Sequence, residues 1–360
     1  MIKIEIAEPK DSQKWNTLVK NNLDSTFYHL WEWSRILSLT YGYQSIHLQV
    51  KKGDTLLCVL PLIHVKSRIF GNRILSLPFC EHGGPITNLL IDSAIIRSAI
   101  KSIIKSVNKI GTKFKVDFIE LRNPPLLSYT SETLHNNNFI KFQQYITFKL
   151  NLTIALEKIW NKMSKNRKRA IKRAIKTGLI IDEVQTYKEL KIYYELYLKT
   201  QVRHGSPPNS YSFFKTIFDI LYLKKMCKIL IAKYQSRIVG GAIVFHYNDT
   251  IYWWNAVMDD NFRHINPTDL LLWEIIEWGA KNKFKFFDFG RTRHNTTIYR
   301  YKEAWGGQKI PLYDFIHFLK KKERPDPTQK KYEYMARIWS LIPTSITRRV
   351  GPRIIKEIAL

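Results

Sequence analysis

Apolar positions along this chain fall into an arrangement that occurs twice. Ile91 to Ile110 has the spacing of a helix and runs into Lys113-Phe114-Lys115-Val116-Asp117-Phe118-Ile119, a basic turn and then an apolar strand. Thr268 to Asn282 has the same spacing and runs into Lys283-Phe284-Lys285-Phe286-Phe287-Asp288-Phe289. The copies lie about 170 residues apart, too far for a solenoid repeat. Each half also carries an earlier apolar strand behind a hairpin, Leu56 to Leu62 and Ile238 to Phe245, and Lys51-Lys52-Gly53-Asp54 reads as the turn before the first of them. Alternating helices and strands predict mixed α/β layers, here in two domains of one design. The expected boundaries are 1–150 and 151–323, with a basic amphipathic tail at 324–360 that begins at Arg324-Pro325-Asp326-Pro327.

Two helices carry more detail. Asn266 can cap the second one, Pro267 suits its first position, and Asp269 sits where a carboxylate can reach back to the cap. A helix from about Ile154 to Thr177 opens the second half. Eight basic residues lie between Lys162 and Lys176, and Ile159, Met163, Ala170, Ile171, Ala174 and Ile175 form its apolar stripe.

Composition narrows the class. Of 360 residues 45% are apolar and 13% aromatic, so the chain is globular and long enough for two ordinary cores. Its 58 Lys and Arg against 30 Asp and Glu leave a net charge of +28, which favours nucleic acid, anionic lipid or phosphorylated partners. A Lys-, Ile- and Asn-rich composition throughout the chain accounts for the charge equally well. Cys58, Cys80 and Cys227 are odd in number and far apart, which excludes a disulfide framework or a cysteine zinc site and fits a reducing compartment. Met1-Ile2-Lys3-Ile4-Glu5 lacks the apolar core of a signal peptide, and no apolar run approaches the ~20 residues needed to span a bilayer. The expectation is a cytoplasmic protein with no metal, and a peripheral position on the inner face of the membrane stays open. No GxxxxGK[ST], GxGxxG, HExxH or GxSxG occurs.

An ordered set of short motifs resembles the FemAB-like family, relatives of the non-ribosomal peptidyltransferases that build peptidoglycan cross-bridges. In the second half these are Tyr252-Trp253-Trp254-Asn255-Ala256, Pro267 to Glu274, Phe287-Asp288-Phe289-Gly290-Arg291-Thr292, Tyr299-Arg300-Tyr301-Lys302 and Trp305-Gly306. Phe27-Tyr28-His29, Leu60-Pro61-Leu62, Lys66 to Gly71, Ser76 to Phe79, Gly83-Gly84 and Arg203 to Pro207 extend the set over residues 15 to 318. The version here looks closest to the branch found beside exosortase and exopolysaccharide genes. The resemblance implies two tandem GNAT-like (N-acyltransferase) domains, an α/β class with mixed sheets, and transfer of an aminoacyl or acyl group onto an amine of a peptidoglycan or exopolysaccharide precursor.

Such transfer needs positive charge or donors at the carbonyl oxygen, which turns negative in the tetrahedral intermediate. The resemblance implies that Lys302 serves there, with the Tyr301 ring able to hold its ammonium. Arg291 follows a strand end, where ligands of open α/β sheets gather, and Asp288 either orients it or is a structural partner. Arg203, in a loop rich in Gly and Pro, matches a family arginine that contacts the diphosphate of a nucleotide-linked precursor. Tyr299, Trp254 and Asn255 complete the expected substrate-binding set; strand alternation places one of Trp253 and Trp254 in the core and the other in a groove. No bound cofactor is expected. The donor is aminoacyl-tRNA or acyl-CoA, and Arg263 to Asp269, without glycine, argues for the former because CoA enzymes of this fold usually cradle pyrophosphate on bare amides at that helix start. The basic helix could grip tRNA, and the tail could lie on an anionic membrane. A departure lies after Trp33, where Arg35-Ile36-Leu37 replaces a lysine common in the family's peptidyltransferases. A CoA-dependent acyltransferase and a non-catalytic nucleic-acid or membrane-binding protein are the alternatives. The oligomeric state is not legible.

Overall fold

The structure, a computed structural model, describes residues 2–124, 128–321, 323 and 330–359. The chain forms two compact units: Met1–Gln144 with Leu312–Asp326 and Lys356–Leu360, and Tyr145–Pro311 with Pro327–Ile355. The Arg324 to Pro327 segment expected to begin the tail lies outside the described residues.

In the first unit the Lys52–Thr55 pairing closes a hairpin between strands Leu48–Lys52 and Thr55–Leu60, as the Gly53-Asp54 turn predicts. A second group of strands runs from Ile63–Ser67 through Gly71–Leu75 to Phe118–Arg122. Helix Ser93–Lys113 starts at Asp92, whose carboxylate accepts from the amides of Ala94 and Ile95. Its apolar side, Ile96, Ile100, Ile103, Ile104 and Val107, packs on Val50, Leu57, Ile74 and Ile119. Each such burial is worth about 1.5–3 kcal/mol.

The second unit orders its strands as Ile180–Glu183, Cys227–Tyr234, Arg237–Tyr247, Thr250–Met258 and Phe286–Asp288. Helix Pro267–Lys281 buries Leu270, Leu271, Ile275 and Ile276 against Ala242, Val244, Ile251 and Phe287. A Cβ on its Gly279 would stand 2.5 Å from Ile251, so this glycine permits the close approach of helix to sheet.

The echo in the sequence corresponds to equivalent strands. Phe118–Arg122 has Gly71–Leu75 as a parallel neighbour and residues of Gln308–Phe318 as an antiparallel one. Phe286–Asp288 has Thr250–Met258 in parallel and the end of Ile140–Asn151 antiparallel. Each unit is thus completed by a strand from the other half of the sequence.

Three local expectations are corrected. The basic helix is two helices, Leu156–Lys162 and Lys165–Lys176, because Ser164 interrupts it and caps the second by accepting from the Arg167 amide. Ile175 of the expected stripe is exposed, while Ile171 and Ala174 are buried. Asn266 makes no side-chain cap, and the Asp269 carboxylate pairs with Arg167 instead of reaching back. All three cysteines are buried and free.

Candidate functional site

In the second unit two neighbouring strands part company. Thr250–Met258 and Phe286–Asp288 pair in parallel only as far as Tyr252 and Asp288. The first strand continues for six residues with its other edge on Arg237–Tyr247. The second turns at once. The register opposite jumps from Ile243–Asn255 to Val244–Trp253, so Trp254 occupies a bulge at the mouth of this opening. A bulge next to a splayed strand end re-aims side chains.

The turn that bounds the opening is held from several directions. Gly290 takes φ +70°, a conformation a β-carbon would strain. Its amide donates to Asp288 Oδ1 at 2.8 Å. Thr147 Oγ1 donates to the same carboxylate and lies 3.2 Å from the Gly290 carbonyl. Lys302 is buried and donates from Nζ to the carbonyls of Gly290 (2.8 Å) and Arg291 (3.1 Å). Helix Thr297–Glu303, which carries Lys302, is capped by Thr296 Oγ1 accepting from the Tyr299 amide. The three residues expected to be catalytic therefore converge on one turn, with two of them, Asp288 and Lys302, engaged in its hydrogen bonds. Arg291, half-buried, lies 5.0 Å from the centre of the Tyr145 ring, and Arg293 shares that ring.

The Tyr301 ring stacks on the Arg167 guanidinium, 4.8 Å away, and not on the Lys302 ammonium as the sequence suggested. Arg167 bridges from that ring to Asp269. Burial holds the Asp269 carboxyl above its ordinary range although Arg167 pulls it down, and burial likewise pushes the Tyr301 phenol up. Helix Pro267–Lys281 thus starts with a proline and a buried carboxylate paired with a half-buried guanidinium.

The expected substrate-binding residues are spread over several supports. Tyr299 donates to Glu303 Oε1 at 3.1 Å and packs edge-on against Phe148. Asn255 accepts from the Tyr193 hydroxyl at 2.7 Å. Trp253 and Trp254 are both half-buried, the first against Phe287 and the second among Phe213, Phe214 and Phe245, so neither is wholly in the core or in the open. Arg203 is the last residue of helix Tyr187–Arg203, not a loop residue, because the chain leaves the helix only at Gly205. It pairs with Asp260, which also takes Arg263, and these two partners hold the Asp260 carboxyl below its ordinary range.

Sequence reasoning missed Thr147, Tyr145 and the bridging role of Arg167. Ile146 pairs with Thr292 across the sequence, and no local pattern signals that contact. Arg167 was visible only as one member of a basic run. Among the described residues no group of His, Cys, Asp or Glu could hold a metal ion, and no helix is long and apolar enough to cross a membrane.

Residues 161–303 match the acetyltransferase (GNAT) domain family. No curated protein matches the chain. Among solved structures it is similar to FemX, with 13% identity, a TM-score of 0.70, and coverage of 88% of this chain and 98% of that one. It is also similar to L-PGS from Bacillus licheniformis (11% identity, TM-score 0.56, coverage 94% and 99%). A third is a tandem GNAT protein from the clavulanic acid biosynthesis pathway (9% identity, TM-score 0.55, coverage 90% and 100%). The chain therefore has the fold of FemX and of the tandem GNAT protein, two GNAT-like domains of which the second carries the acetyltransferase (GNAT) match.

Proposed function

We propose that this chain transfers an aminoacyl or acyl group onto an amine of a cell-envelope precursor, built from peptidoglycan or exopolysaccharide units, at the strand opening of the second unit. The observation that carries the reading is the convergence of Asp288, Arg291 and Lys302 on the turn at Gly290. Acyl transfer builds negative charge on the carbonyl oxygen, and pre-oriented positive groups and main-chain donors stabilise that state without reorganising. Lys302 and Asp288 fix the turn. Arg291 supplies a fork for a phosphate or carboxylate of the acceptor. The splayed strand edge at residues 253–258 offers main-chain donors to an extended substrate, with Trp254, Asn255, Tyr299 and Tyr301 as its walls. Arg203 contributes to phosphate binding by sharing Asp260 with Arg263.

Aminoacyl-tRNA is the donor favoured by two features. Pro267 and the Asp269–Arg167 ion pair occupy the helix start at which acyl-CoA enzymes of this fold hold pyrophosphate. Lys165, Arg169, Lys172, Arg173 and Lys176 are exposed along one helix, a spacing suited to a phosphate backbone. The chemistry needs no resident cofactor or metal. The acyl-CoA alternative keeps one argument, that the splayed strand edge would suit the amide groups of a pantetheine arm equally well.

The test is a transfer assay with labelled aminoacyl-tRNA and acyl-CoA donors against nucleotide-linked and lipid-linked envelope precursors. Label appearing on a precursor amine from aminoacyl-tRNA, with KM for tRNA rising steeply with salt, is the expected result. Turnover from acyl-CoA alone would replace the tRNA reading, and turnover from neither donor would remove the enzymatic one.

A further inference from the structure

Helix Lys330–Ser340 is amphipathic the wrong way round for a helix that ends a globular domain. Ala336 faces the body: a Cβ on Gly205 would stand 2.4 Å from the Ala336 carbonyl. Trp339 is half-buried near the same side. The opposite face carries Tyr334, Met335 and Ile338 and continues into Leu341 after the helix. Tyr334 is 67% exposed and Leu341 84%. Positions 334, 338 and 341 repeat at helical spacing, so these side chains form one outward stripe. Lys330 and Arg337, both exposed, flank it.

The next helix, Thr344–Ile358, continues the pattern. Thr347 and Gly351 are buried, Gly351 directly against Pro208, and Arg348 pairs with Glu195 at 2.6 Å. Its outward side shows Ile346 and Val350 beside Arg349 and Arg353, both exposed. Both helices are therefore anchored on the second unit through one side and present apolar groups edged by cations on the other. Lone exposed apolar residues are ordinary, whereas a contiguous row of them marks an interaction surface.

We propose that this two-helix surface docks on an anionic phospholipid bilayer. The charge decides the occupant: a protein groove would accept the apolar row alone, but Arg337, Arg349 and Arg353 beside it suit a surface that is apolar a few ångströms down and negative at its rim. Neither helix has the length or apolarity to span the bilayer, so docking leaves the second unit in the aqueous phase. This goes beyond the transfer reaction, and its failure would leave that reading intact. Ile342 and Ile354 are half-buried, so the exposed apolar row of this region is carried by Tyr334, Met335, Ile338 and Leu341.

The test is flotation of the full chain with phosphatidylglycerol–phosphatidylcholine vesicles and with phosphatidylcholine vesicles. The chain should float with the first, not the second, and be released by high salt. The Ile338→Asp/Leu341→Asp variant should bind at least about tenfold more weakly at an unchanged melting temperature. Because a misfolded variant would also fail to float, Arg349→Gln/Arg353→Gln serves as the second variant. It should weaken binding about fivefold per arginine and flatten the salt dependence. Equal flotation with both vesicle types, or no loss in either variant, overturns the proposal. So does a wild-type dimer that Ile338→Asp/Leu341→Asp converts to monomer without any vesicle binding, which would assign the surface to a second copy.

Discussion

The carboxyl ends of the two equivalent strands have opposite fates. Phe118–Arg122 ends in buried charge. Arg122 Nε donates to Glu120 at 2.9 Å, and its Nη2 donates to the Ala359 carbonyl, also at 2.9 Å. Arg73 on the neighbouring strand donates to the carbonyls of Glu357 and Ile358. The end of helix Thr344–Ile358, where carbonyls lack helical partners, thus fills this strand end. Phe286–Asp288 ends in the Gly290 turn with Arg291 half-buried on a tyrosine ring. Both copies place cations at the site where ligands of such sheets gather. In the first unit the chain's own carbonyls take both arginines; in the second, carbonyls of the turn take Lys302, while Arg291 lies against the Tyr145 ring. A duplicated fold therefore need not mean a duplicated site.

The largest expected effect attacks the closed end. Arg122→Ala takes a partner from the buried Glu120 carboxylate and from the Ala359 carbonyl, and should destabilise by about 3–5 kcal/mol. Chemical denaturation measures the loss, and transfer activity per folded molecule should not change. A fall in activity at unchanged stability would break the comparison.

Next is Lys302→Met in the open end. Without its two hydrogen bonds the turn at Gly290 loosens, and turnover should fall about 10²-fold or more. Steady-state kinetics with melting temperatures separates this from unfolding. Wild-type turnover in the variant would remove the turn from the mechanism.

Acid should affect the first unit more. Burial lowers His29 to about 3 and His47 to about 4, against 6.5 for the unperturbed group, and His246 in the second unit to about 4. A depressed imidazole pKa means that the folded state excludes the proton which the unfolded chain takes up below 6.5. Stability is then complete above that pH and declines as pH falls toward 4. The decline amounts to a few kcal/mol, since a tenfold difference in proton affinity between folded and unfolded chain is worth about 1.4 kcal/mol. Melting curves followed between neutral pH and pH 4 should show this decline, and His47→Gln should flatten it. A flat profile would contradict the burial of these rings.

The smallest effect is at Arg203. Its ion pair with Asp260 is half-exposed, so Arg203→Ala should leave stability within about 1 kcal/mol. If it holds a precursor phosphate in ground and transition states alike, KM should rise about tenfold with kcat unchanged.

How much of this was legible follows from the range of each interaction. Periodicity along ten to twenty residues located helices Ser93–Lys113 and Pro267–Lys281 and the strands behind them, because burial of one face is encoded locally. Asp288, Arg291 and Lys302 lie within fifteen residues and stood out together through the motifs. The break at Ser164 was missed because basic and apolar positions continue across it without a change of period.

What the chain determined by itself is the repeated α/β pattern, its apolar faces and the cluster of chemistry-bearing residues between Asp288 and Lys302. Tertiary structure alone decided which groups those residues meet. Tyr301 takes Arg167 because helix Lys165–Lys176 packs against the start of Pro267–Lys281. Thr147 holds Asp288 because a strand from the first half of the sequence completes the second unit. The tail turns Tyr334, Ile338 and Leu341 outward because Gly205 admits only Ala336 closely on the other side. Each of these depends on contacts far apart along the chain, whose geometry follows from packing and not from any local period.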